Sequence, residues 1–157
     1  MIKEINEGNA QLVSNLYANI AAHFREYGDK ERAKLYMGKC IDITKQYELV
    51  SHDGICRIYT YALLLAETGQ PQEALELLKM LCQLIQEHIS EKSMDYGVTL
   101  EVIGTVYLYL KDANQAEVFY KKAFAIYEMH LESEPEQLED KRREMALLLQ
   151  VVRIMNQ

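Results

Sequence analysis

Small and large apolar residues recur along this chain with one shared period. Small residues stand at Ala21, Ala62, Gly104 and Ala146, at spacings of 41, 42 and 42 (62 − 21, 104 − 62, 146 − 104). Three residues beyond each comes a large apolar side chain: Phe24, Leu65, Tyr107 and Leu149. One residue before each comes Ile20, Tyr61, Ile103 or Met145. A second small column, Ala33, Ala74 and Ala116, keeps the period, with 74 − 33 = 41 and 116 − 74 = 42. Several columns on one period mark a repeated supersecondary unit.

Within each unit the apolar positions follow helical spacing. Tyr17, Ile20, Ala21 and Phe24 form one face, as do Ile58, Tyr61, Ala62 and Leu65. After a short break come Ala33, Met37, Cys40, Ile41 and Thr44, and in the next copy Ala74, Leu78, Leu81, Cys82 and Ile85. Each unit is therefore expected to be two amphipathic helices joined by a tight turn. Gly28 and Gly69 suit a left-handed helix end, a position that Lys111 takes in the third copy. Asp29 and Asp112 are expected N-caps, Pro71 fits a first helical turn, and Ser133 with Glu136 has the spacing of a capping box. A helix pair of this size cannot bury its apolar face alone, so neighbouring pairs must stack.

These columns carry a resemblance. Tyr17, Ile20, Ala21, Phe24, Gly28, Ala33, Met37 and Cys40 resemble a tetratricopeptide repeat. So do Ile58, Tyr61, Ala62, Leu65, Gly69, Ala74, Leu78 and Leu81, and again Leu100, Ile103, Gly104, Tyr107, Lys111, Ala116, Tyr120 and Ala123. The family's usual period is about 34 residues. The longer period here is similar to that of kinesin light chain and related bacterial proteins. The resemblance implies an all-α fold, a right-handed α–α superhelix of about seven helices. Its repeats would cover about 9–47, 51–90 and 94–132, with a terminal helix over 135–156, all in one domain spanning 1–157.

The fourth copy stops after one helix. Met145, Ala146 and Leu149 fill its inward columns, and Glu136 to Glu144 is highly charged. Its second half is apolar almost all round, and a helix apolar on every side expects burial on every side. Leu147, Leu148, Val151, Ile154 and Met155, with Val152, are left without an evident partner in a monomer. They form a candidate homodimer or docking face; a missing neighbouring helix is the other reading.

Composition narrows the remaining classes. The chain has 157 residues, 17 Lys and Arg against 24 Asp and Glu, and a net charge of −7. That balance argues against nucleic acid as a partner. No apolar run approaches the ~20 residues of a membrane span. Met1 to Asn9 has no apolar core of a secretory leader, and three cysteines without paired spacing suit a reducing compartment, so a cytoplasmic location is expected. The motifs of phosphate loops, dinucleotide sites, zinc proteases and serine hydrolases are absent. His23, His52, His88 and His130 are far apart, and no base can be placed beside Cys56 from spacing alone. No catalytic residue, metal site or cofactor is expected.

The resemblance implies that first helices line an inner concave surface. By frame, the candidate groove is Asn15, Asn19 and Arg25 from the first copy, Tyr59, Thr60, Leu63 and Glu67 from the second, and Glu101, Thr105, Leu108 and Tyr109 from the third. Tyr and Leu supply contact area and Asn can hydrogen-bond a peptide backbone. Family grooves that hold a C-terminal carboxylate use Lys and Arg where this chain has Ala18, Ala22, Val98 and Val102. The expected function is a non-catalytic module binding a peptide or helix of a protein partner. The alternative is the ligand-sensing regulatory domain of a bacterial peptide receptor or signalling protein.

Overall fold

A computed structural model describes residues 4–48 and 51–157; residues 1–3 of the segment read for a leader lie outside the described residues, as do 49–50. Seven α-helices and no strand are found among the described residues. They are α1 (Ala10–Glu26), α2 (Lys30–Gln46), α3 (His52–Glu67), α4 (Pro71–His88), α5 (Met94–Tyr109), α6 (Ala113–Leu131) and α7 (Pro135–Met155). The fold is an all-α array of helical repeats. Helices α1, α3 and α5 each pair with the even helix that follows, each even helix packs on the next odd one, and α3 also touches α5.

Local chemistry sets the boundaries. Asp29 accepts a hydrogen bond from the Arg32 backbone N–H at 3.0 Å, and Asp112 from that of Gln115 at 3.1 Å, which satisfies N–H groups left open at a helix start. Pro71 and Pro135 open α4 and α7, where a missing N–H costs nothing. Gly28 and Gly69 hold φ of 77° and 88°, and Lys111 holds 59° in the same frame position. The capping box expected at Ser133 does not form: Glu134 precedes α7 and no side chain caps it. Ser51 and Ser93 cap α3 and α5 instead, each accepting from the N–H three residues on.

The small columns are where helices cross. Ala21, Ala33, Ala62, Ala74 and Ala116 are all buried. Gly104 is the tightest crossing: a Cβ there would lie 2.8 Å from the Tyr120 ring. The main core runs through the first three helix pairs, and a second cluster under α7 joins Ala113, Ala116 and Tyr120 to Met145 and Val152.

The structure corrects three inward assignments. Ile20 is exposed, in line with Leu12 and Leu16 on one side of α1, because no earlier helix among the described residues covers that side. On α7, Ala146 is exposed and Leu149 half-buried, whereas Val152 is fully buried. α7 touches α6 and meets no following helix among the described residues, so one narrow stripe is covered instead of the broad face of an internal helix.

Candidate functional site

First helices are tied along the array by side chains that cross from one repeat to the next. Arg57 of α3 donates to Asn15 Oδ1 at 2.7 Å and to Ser14 Oγ at 3.3 Å, both on α1. His52 of α3 meets Asp95 of α5 at 2.7 Å. Glu101 of α5 lies 3.9 Å from Lys141 Nζ of α7. One row of helices therefore continues from α1 to α7, at the period of the small-residue columns.

A family model described as tetratricopeptide repeat matches residues 54–129, from the first turn of α3 to near the end of α6. These residues are tetratricopeptide repeats. No curated protein matches the sequence. Tetratricopeptide repeats generally mediate protein–protein contacts.

The residues expected in the groove divide into two groups. Most have their polar atoms occupied within the protein. Asn15 accepts from Arg57 and also from Gln11 at 2.9 Å. Tyr59 donates to Cys56 Sγ at 2.8 Å, and Thr60 to the Cys56 carbonyl at 2.8 Å. Glu67 pairs with Lys30 at 3.2 Å. Glu101 accepts from the Tyr127 hydroxyl at 2.6 Å, and Thr105 Oγ1 lies 3.1 Å from the Tyr120 hydroxyl. Leu63 packs half-buried against the main core and Leu108 against the cluster under α7. Asn19, Arg25 and Tyr109 are the members that stay exposed.

Two of the expected residues meet around an open recess. Arg25 and Thr60, with Ala22 and Glu26, rim a cavity of about 330 Å³ whose floor is Ala21, Met37 and Leu64. The floor is apolar because Ala21 and Ala22 have no side chain long enough to fill the gap between α1 and α3. The recess can take an apolar side chain, and the Arg25 guanidinium at its edge can donate to a carbonyl or carboxylate.

Electrostatics around the row of first helices favour neutral phenols. Burial, then the hydrogen bond and charge of Glu101, pushes the Tyr127 hydroxyl well above the usual tyrosine range. Burial and the adjoining Cys56, with a smaller effect from Asp95, do the same at Tyr59.

The terminal helix presents the second surface. Leu147 and Ile154 are 63% and 68% exposed, and Val151 and Met155 also face outward. Leu148 does not belong with them: it is half-buried against Ala113, Ala116 and Tyr120.

Several residues that tie the helices together were missed in the sequence. Arg57, Tyr127 and Lys141 act between helices, and no local pattern marks a contact between repeats. His52 was legible: it lies four residues before Cys56, hence on the same helix face, so a base does stand beside that thiol. Among the described residues no group of three or more His, Cys, Asp or Glu side chains gathers in a metal-binding arrangement, and no helix is long and apolar enough to cross a membrane.

Proposed function

We propose that this protein binds a peptide or helical segment of a protein partner along its row of first helices, with an apolar side chain of the partner seated in the recess between α1 and α3. The observation that carries this reading is the 330 Å³ recess, apolar at its floor and edged by Arg25 and Thr60. Asn19 and Tyr109, exposed on the same row of helices, supply a hydrogen-bonding amide and an aromatic contact. Residues whose polar atoms are already paired, Asn15, Tyr59, Glu67, Glu101 and Thr105, shape the surface and contribute contact area. Affinity for the partner, first found by capture and mass spectrometry, is then measured by titration with purified protein. Ala22→Glu places a charge in the recess from an exposed position and is expected to weaken binding by about tenfold or more; unchanged affinity rejects the recess.

The outward stripe of α7 supports a second contact, with another copy of this chain. Leu147, Val151 and Ile154 recur at intervals of four and three, the spacing of a helix–helix seam.

A further inference from the structure

Cys56 has company that the other cysteines lack. Its Sγ lies 3.6 Å from His52 Nε2, one turn earlier on α3. His52 Nδ1 lies 2.7 Å from Asp95 Oδ1 on α5. The carboxylate accepts the Nδ1 proton, which fixes the tautomer and leaves the Nε2 lone pair facing the thiol. The Tyr59 hydroxyl donates to the same sulfur at 2.8 Å, so a thiolate formed there keeps a hydrogen-bond donor. A nucleophile beside a base that a third group orients is the general arrangement for activation. The side chain of His52 is 72% exposed, so the cluster is reached from solvent. Cys40, by contrast, is fully buried with Sγ 3.2 Å from Ser14 Oγ, and burial pushes the Cys82 thiol up to about 11.

We propose that Cys56, His52 and Asp95 form a thiol–imidazole–carboxylate relay that makes Cys56 a site of covalent modification by small-molecule disulfides. His52 Nε2 takes the thiol proton. The Cys56 thiolate attacks one sulfur of the disulfide, forming a new S–S bond as the disulfide's own S–S bond breaks. The departing sulfur carries the electron pair away as a thiolate, and the proton held by His52 passes to that sulfur when its thiolate is basic or to solvent when it is not. Cys56 is oxidised to a mixed disulfide and the departing sulfur is reduced to the thiol or thiolate, so the exchange needs no other oxidant. Asp95 is the positioning residue, acting through His52. Because the Tyr59 hydroxyl touches the same sulfur, the adduct stands beside the inner row of first helices.

The test uses the folded full chain and the aromatic disulfide dithiobis(nitrobenzoate), whose released thiolate is followed by absorbance. The expected result is a fast phase from one thiol, absent in Cys56→Ser, with the adduct on Cys56 in peptide mass maps. His52→Gln should slow that phase by about tenfold or more and leave the slower reaction of Cys82 unchanged. Asp95→Ala should slow it as well, and Asp95→Asn, which can still accept from Nδ1, should recover part of the rate. Circular dichroism checks each fold. A fast phase that survives Cys56→Ser overturns the proposal, and so does an unchanged Cys56 rate in folded His52→Gln and Asp95→Ala.

Discussion

The hydroxyl of Tyr127, on α6, donates a 2.6 Å hydrogen bond to Glu101 Oε2, on α5. Lys141 of α7 closes the cluster, with Nζ 4.7 Å from the centre of the Tyr127 ring and 3.9 Å from Glu101. One buried phenol thus ties the last full repeat to the terminal helix. Tyr127→Phe removes the donor and leaves Glu101 with the more distant lysine. It is expected to lower stability by about 1–2 kcal/mol, read as a shift in the urea midpoint with an unchanged slope.

The same phenol makes the fold sensitive to alkali. Burial, together with Glu101 or Cys56, holds the Tyr127 and Tyr59 hydroxyls above their ordinary value of 10.0, and Tyr120 is also raised, chiefly by burial. The unfolded chain therefore releases these protons at a pH where the native state still holds them. Stability is complete below the unfolded value and falls as pH rises through and beyond about 10. Urea melts at rising pH should show this loss, and Tyr127→Phe should have a shallower dependence than the parent. A parallel dependence in the two proteins would remove Tyr127 from the account.

Gly104 is held by packing against its neighbour. Its missing Cβ would lie 2.8 Å from two atoms of the fully buried Tyr120 ring and 3.2 Å from the Ala116 carbonyl oxygen. Gly104→Ala should destabilise by about 1–3 kcal/mol, despite alanine's better helix propensity, because neither neighbour can move without disturbing the α5–α6 crossing. Equilibrium denaturation of the variant reads the sign directly.

Lys111 predicts a change in the opposite direction. It ends α5 at φ 59°, where the two earlier repeats use glycine. A side chain in the left-handed region costs about 1–2 kcal/mol. Lys111→Gly relieves that strain and gives back part of the gain through a freer unfolded chain. A net stabilisation of about 0.5–1 kcal/mol is expected, visible as a higher melting temperature.

The α7 stripe is tested by its effect on mass. If Leu147 and Ile154 meet another copy of the chain, light scattering should show a dimer at high concentration. Ile154→Lys should shift it to monomer without loss of helicity, since Ile154 is 68% exposed. A monomer at every concentration in the parent would reject self-association through this helix.

The fold was legible because its information is local and repeated. Ala21, Ala62 and Gly104 announce close helix crossings, Gly28 and Gly69 announce helix ends, and Asp29 and Asp112 announce helix starts. Each is decided by steric or hydrogen-bonding needs within a few residues, and the period multiplies the signal. The candidate groove was legible only as a helix face. Spacing placed Asn15, Glu67 and Glu101 on that face, but it could not say that Arg57, Lys30 and Tyr127 already hold their polar atoms. Those partners arrive from other helices, 42, 37 and 26 residues away (57 − 15, 67 − 30, 127 − 101).

The sequence by itself determined that this chain is a stack of helix pairs, because burying an amphipathic helix at a fixed period leaves no other arrangement. Tertiary structure decided which of the eligible side chains remain free. Val152 is buried and Ala146 exposed because α7 has α6 to cover it and no following helix among the described residues. Arg25 and Thr60 share a recess because the alanines between α1 and α3 are too short to close it. Cys56 gains a base from its own helix, but the carboxylate that aims that base comes from the next repeat, and only packing brings the two together.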